Sequence, residues 1–288
     1  MHVVITCEHG SFAIPSAFRA LFDDVGGNAH EVERIVQSHE GWDLGAQNLA
    51  RRIFAALKSR TVESSIESCD IDKGTKESKE NWIGLESVTL HESHATRLLV
   101  ELNRSPRHAR LFSRYTIDAD DDVKKCILDE HWHPYRDRVI ADIQAGLELG
   151  DVLHLSIHSF TPVFDDVERN AAIGLLYDPS RRDKEIAHQW RKHLRGQLPG
   201  YRVRCNYPYT GVQDGFQPWL RKEFSAASKS GAYAAIELEV NNAFLVEENA
   251  HLQASKPASP MKGMSCLGFQ QKVARSVRSL VELHLVPS

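Results

Sequence analysis

The stretch "VLHLSIHS", residues 152–159, decides how the chain is read. In an extended strand successive side chains point to opposite faces, so Leu153, Leu155 and Ile157 share one face while His154, Ser156 and His158 share the other. A row of imidazole, hydroxyl and imidazole beside a fully apolar face needs polar partners from neighbouring strands or a site at the strand's end. For His158, a satisfied core histidine and a site residue both remain open.

Working outward, "HVVITCEH" (2–9), "TRLLVELN" (96–103), "AAIGLLYD" (171–178) and "YAAIELEV" (233–240) read as further strands. Between them lie amphipathic stretches. Residues 43–60 place Ala46, Leu49, Ala50, Ile53, Phe54 and Leu57 at helical spacing. Residues 123–149 read as a long helical region broken or bent near Pro134, and 181–196 and 267–285 as two more helices. Strands alternating with helices predict an α/β protein whose sheet is covered on both faces. Residues 61–93 are polar and weakly patterned and read as a surface excursion. No glycine- or proline-rich linker divides the series, so a single domain over residues 1–288 is expected.

Composition narrows the function classes. With 42% hydrophobic and 26% charged residues the chain is an ordinary globular one, and a net charge of -4 offers no global basic field for nucleic acid. No apolar run approaches a membrane span, and the first residues enter a strand with no basic segment and apolar stretch before it. Cys7, Cys69, Cys126, Cys205 and Cys266 are scattered and form no CxxC pair, which suits buried thiols in a reducing compartment. The expectation is a cytoplasmic protein with neither nucleic-acid nor membrane partner.

The polar residues at the strand ends are Glu8 and His9, then Glu101, Asn103 and Arg104, then His158 and Ser159, then Glu237 and Glu239. In α/β sheets the crevice beyond the carboxyl ends of the strands gathers such residues into a ligand site. Glu237 and Glu239 share a strand face, and two such carboxylates call for a cation or an arginine nearby. Asp43 reads by default as a helix N-cap, His39 as an exposed loop residue and His9 as a polar residue leaving the sheet. An open zinc site takes three His or carboxylate ligands plus a separate base. His9, Asp43, His158 and Glu239 have the chemistry for those places, although no compact ligand motif joins them.

The blocks "CEHGSFAIP", "SHEGWDLGA", "TRLLVELNRS", "LHLSIHSFTP", "AAIGLLYDPSR", "NYPYTGVQDG" and "AAIELEVNN", in this order, resemble the N-formylglutamate amidohydrolase family over Val3 to about Val246. The resemblance implies a three-layer α/β/α fold with a central mixed sheet, related to zinc carboxypeptidases and aspartoacylases. It implies one divalent metal ion, with zinc the leading choice, held by His9, Asp43 and His158, with His39 or Glu8 as rivals of Asp43. It further implies Glu239 as general base, with Glu237 its rival, Arg97 as a donor to the scissile carbonyl, and Asn103 and Arg104 as the clamp for a substrate carboxylate. Glu101 would brace the arginine or a ligand, and Tyr207, Tyr209 and Asp214 would line the substrate. The implied substrate is a small N-acyl amino acid, N-formyl-L-glutamate first. The alternatives are another N-acyl amino acid or short peptide, and a metal- or amino-acid-binding protein without turnover.

Overall fold

Strand β1 (His2–Cys7) is buried along its whole length, which a strand reaches only in a sheet covered on both sides. Its Val3, Ile5 and Cys7 enter one apolar cluster and its Val4 another. The structure, a computed structural model, describes residues 1–67, 85, 87–225, 231–246 and 264–285. Its strands are β1, β2 (Ser87–Glu92), β3 (Val152–Phe160), β4 (Val163–Phe164), β5 (Val167–Glu168), β6 (Ile173–Leu176), β7 (Val203–Cys205) and β8 (Tyr233–Asn241). The α-helices are α1 (Arg19–Gly26), α2 (Ala29–Val36), α3 (Ala46–Glu67), α4 (Asp121–Ile127), α5 (His133–Leu149), α6 (Asp183–Gln197), α7 (Phe216–Glu223) and α8 (Cys266–Leu285).

The main sheet has six strands in the order β2-β1-β3-β8-β6-β7, and β4 and β5 pair as a separate hairpin. β2, β1, β3 and β8 run parallel, β6 is antiparallel to β8, and β7 is parallel to β6, so the sheet is mixed. Helices α3, α6 and α8 cover one face with a continuous apolar cluster that includes Leu153, Leu155, Ile157, Ile236 and Leu238. Helices α1, α2, α5 and α7 cover the other, where Val4, Val152, Tyr233 and Ala235 lie under Phe216 and Ile143. The expected three layers are therefore present. Each fully buried Leu or Ile contributes about 1.5–3 kcal/mol of hydrophobic stabilisation, so the first face alone accounts for much of the driving force.

Two expectations need correcting. Residues 96–103 are not a strand: Leu99 N bonds Thr96 O at 3.0 Å, Glu101 N bonds Leu111 O at 2.9 Å and Arg104 N bonds Glu101 O at 3.1 Å, a chain of turns. Their apolar character has another cause, since Leu99, Val100 and Leu102 plug the cluster under the second face without pairing to the sheet. The expected excursion over 61–93 is cut at both ends, because α3 continues to Glu67 and Ser87–Glu92 pairs in parallel along β1. Residues 68–84 and 86 lie outside the described residues. The long helix is interrupted near Pro134: five residues of π-helix, Leu128–Trp132, separate α4 from α5, with the proline in the first turn of α5. Among the described residues no helix is long and apolar enough to cross a membrane.

Candidate functional site

Polar residues concentrate on the α5/α7 face, toward the carboxyl ends of β1, β3 and β8. The register sets His158 beside Glu239 and Ser156 between Thr6 and Glu237. His154, deeper in β3, meets Thr6 Oγ1 at 2.9 Å and Tyr233 Oη at 2.7 Å, and burial lowers its pKa to about 3. It is the satisfied core histidine of the row. His158 is the other kind.

His9 leaves β1, and its carbonyl accepts Asp43 N at 2.9 Å, which draws the loop before α3 over the strand end. Asp43 is no N-cap: its carboxylate turns inward, with Oδ2 accepting Ser159 N at 3.3 Å and lying 2.9 Å from His158 Nδ1 and 3.3 Å from His9 Nδ1. One donor atom from each of His9, Asp43 and His158 falls within 4.8 Å of the others, and all three residues are buried. Both imidazoles present Nδ1 inward and are gripped from behind at Nε2. Glu101 Oε1 bonds Nε2 of His9, while Ser156 Oγ lies 2.8 Å and Glu8 Oε2 3.3 Å from Nε2 of His158. Carboxylates behind imidazoles fix ring orientation and tautomer, as around metal-ligating histidines.

This donor set fits a divalent cation such as zinc by its chemistry: two imidazole nitrogens and a carboxylate oxygen converge, and each imidazole has an outer acceptor. One atom strengthens the fit, since Glu239 Oε2 is buried and without a hydrogen-bond partner among the described residues. Burial alone would raise the Asp43 carboxyl, yet His9 and His158 hold it far below the usual carboxylate range. Burial likewise opposes a charged His158, but the hydrogen bonds to Asp43 and Glu8 override it and push the imidazole well up. Burial pushes Glu239 up to about 7, a value suited to proton transfer near neutrality. Burial also raises Glu237, opposed by Arg221, whose Nη1 lies 3.9 Å from its Oε1.

Arg97, Asn103, Arg104, Tyr209 and Asp214 line a cavity of about 550 Å³ together with His9, Asp43, His158 and Glu239. Arg97 is held by Glu101, with Nε to Oε2 at 2.8 Å, and reaches Asp43 Oδ1 at 3.4 Å. Arg104 Nη1 bonds the carbonyl oxygen of Asp214. Asn103 Oδ1 accepts Phe216 N at 2.7 Å, the first amide of α7, so its carbonyl caps a helix. His39 is exposed on the cavity wall outside the His–Asp–His group. Glu8 stands behind His158 and is not a member of that group either. Tyr207 turns from the cavity to the Phe160 and Arg204 side chains. Its carbonyl crosses so close to Gly174 that a Cβ there would sit 1.7 Å from the oxygen.

Sequence reasoning missed Arg221, Gln217 and Arg169. Arg221 is buried and ties four segments together: it bonds Asp183 at 2.7 Å, the carbonyl of Gly211 at 2.6 Å, Gln217 at 3.1 Å and the carbonyl of Ala235 at 2.9 Å. The need for a cation beside Glu237 was the available signal.

The fold and cavity define the class first: an α/β protein with a histidine–carboxylate pocket at the carboxyl edge of its parallel strands. Its profile match is to N-formylglutamate amidohydrolase, over residues 1–246, and the chain belongs to that family. A gene product of Agrobacterium tumefaciens has a similar solved structure, at TM-score 0.62 and 21% identity over 98% of this chain and 90% of that one. An N-formylglutamate amidohydrolase from Ralstonia eutropha overlays at TM-score 0.57 and 12% identity, covering 98% and 93% of the two chains. At these identities the likeness concerns the fold. No curated protein matches the chain significantly in sequence.

Proposed function

We propose that this protein hydrolyses the amide bond of an N-acyl amino acid, with N-formyl-L-glutamate, giving formate and L-glutamate, as the first substrate. Membership of the N-formylglutamate amidohydrolase family supports the reaction class. The observation that carries the site is the convergence of His9, Asp43 and His158 beside Glu239 at the register step His158–Glu239.

His9 Nδ1, Asp43 Oδ2 and His158 Nδ1 would hold a divalent cation, zinc first. When bound, it supplies Lewis acidity: it acidifies a water and polarises the acyl oxygen. Glu101 and Glu8 keep both histidines in the tautomer that presents Nδ1. Glu239 accepts the proton of the attacking water and returns it to the departing amine. Glu239 suits that duty better than Glu237, because Glu237 lies toward Arg221 whereas Glu239 Oε2 has no described partner. Arg97, beside Asp43 and open to the cavity, donates to the oxygen that gains charge during attack. Arg104 and the amide nitrogen of Asn103 take the carboxylate of the substrate.

The test is amino-acid release by zinc-loaded protein from N-formyl, N-acetyl and N-succinyl amino acids, with a chelated sample beside it. Chelator-sensitive release from N-formyl-L-glutamate is the expected result, and silence across the panel would overturn the reading.

A further inference from the structure

The cavity is lined by four arginines, Arg97, Arg104, Arg110 and Arg169, in four different situations. Arg97 already has carboxylate partners in Glu101 and Asp43. Arg104 is fastened to the Asp214 carbonyl. Arg110 is exposed at the rim, and nothing among the described residues holds its side chain. Arg169 combines what the others separate, because it is fixed in place yet has no carboxylate partner among the described residues.

Its position follows from a short hairpin. Asp165 and Asp166 turn the chain with φ of 48° and 60°, the left-handed pair of a tight two-residue turn between β4 and β5. Beyond the hairpin, Arg169 N bonds Pro162 O at 2.7 Å and closes the loop. The guanidinium then lies among three rings, its carbon 4.6 Å from the centre of Phe164, 5.3 Å from Tyr209 and 5.8 Å from Phe160. Among the described residues its only hydrogen bonds are to two hydroxyls, Tyr209 Oη at 3.2 Å and Thr161 Oγ1 at 3.5 Å. Phe160 ends the strand that carries His158 and Thr161 follows it, so this cation lines the same cavity as the proposed ligand set. Aromatic faces orient a guanidinium without neutralising it, and each terminal nitrogen keeps a second N–H for an anion.

We propose that Arg169 is a specificity-determining residue that binds a second carboxylate of the substrate, the side-chain carboxylate of an N-acylated acidic amino acid. This rests on the hydrolytic reading above and on its assignment of Arg104 and Asn103 to the first carboxylate. The neutral amide analogue leaves the fork without a charged acceptor and is disfavoured.

Arg169→Met keeps the stem between the rings and removes the charge, and Arg169→Lys keeps the charge without the fork. Zinc-loaded wild type and both variants are assayed on N-formyl-L-glutamate and N-formyl-L-glutamine, with calorimetric binding of L-glutamate and L-glutamine alongside. Wild type prefers the glutamate substrate by at least about tenfold in kcat/KM, a modest yield for one charge-assisted pair. Arg169→Met raises KM for N-formyl-L-glutamate by that factor, leaves kcat and the glutamine substrate within about twofold, and Arg169→Lys falls between. A purely structural role would impair both substrates together. Hydrolysis without this preference, or with a preference that survives Arg169→Met, overturns the inference and leaves the reaction standing. No hydrolysis, with an Arg169-dependent preference for L-glutamate in binding, overturns the reaction and leaves the inference; failure of both assays removes both.

Discussion

The two faces of the sheet carry the same strands under opposite rules. Toward α3, α6 and α8, β3 presents Leu153, Leu155 and Ile157, all in one apolar cluster. Toward α5 and α7 the same strand presents His154, Ser156 and His158, whose partners are Thr6, Tyr233, Glu8 and Asp43. One face therefore stabilises the fold by desolvation, while the other holds charges that are costly to bury and are kept only by mutual pairing. Alternation along one strand is enough to place a polar pocket one residue away from a core that does not share its chemistry.

Three substitutions separate the two roles. Glu239→Gln removes the proposed base while keeping its shape, and turnover should fall by about 10²–10⁴. Its melting temperature should hold or rise, because a buried carboxylate with an unpartnered oxygen is lost. Wild-type turnover in this variant would take the polar face out of the chemistry. Next in size is Ile157→Ala, one residue before His158 and fully buried on the apolar side. Chemical denaturation should show a loss of about 2–5 kcal/mol, with zinc content and kcat of the folded fraction unchanged. A loss of metal instead would show that the faces are not independent.

The smallest effect belongs to Asp142→Asn, on α5 but away from the pocket. Asp142 accepts from His91 at 2.8 Å and from His2 at 3.1 Å, and also bonds Thr89, which pins edge strand β2. Burial would raise this carboxyl, but the hydrogen bonds from His2, His91 and Thr89 hold it well below the usual range. A depressed carboxylate stabilises above its unfolded pKa of about 4 and loses that contribution as pH falls through its folded value. The variant should cost about 1–3 kcal/mol at pH 7. The gap from wild type should close as the pH is lowered from about 4, and a gap independent of pH would mean that the carboxylate's charge contributes nothing.

Legibility in the sequence followed the same division. Strands β1, β3 and β8 and helices α3, α6 and α8 show clean periodicity because they fill the apolar cluster. β2 escaped notice because every residue of Ser87–Glu92 is half-buried, as at a sheet edge, so no alternation develops. The turns at 96–103 mimicked a strand because their leucines fill core space without ladder bonds. In the pocket, His9, Asp43 and His158 were nameable from resemblance, but their convergence depends on the His9–Asp43 backbone bond, which no spacing encodes. Arg169 was invisible for a similar reason: its ring partners come from residues 160, 164 and 209, on two separate stretches of chain.

Asn103 serves two masters, facing the cavity with its amide and closing the first turn of α7 through Oδ1. Through α7 it is linked to Arg221 and so to the loop at Gly211. Such a residue is hard for evolution to retune, since any replacement that changes what it recognises also uncaps a helix. The hairpin Phe164–Glu168 is the opposite case, exposed throughout and absent from both cores. Divergence in substrate preference among relatives of this fold should therefore accumulate at the hairpin, while the asparagine stays where helix and pocket both require it.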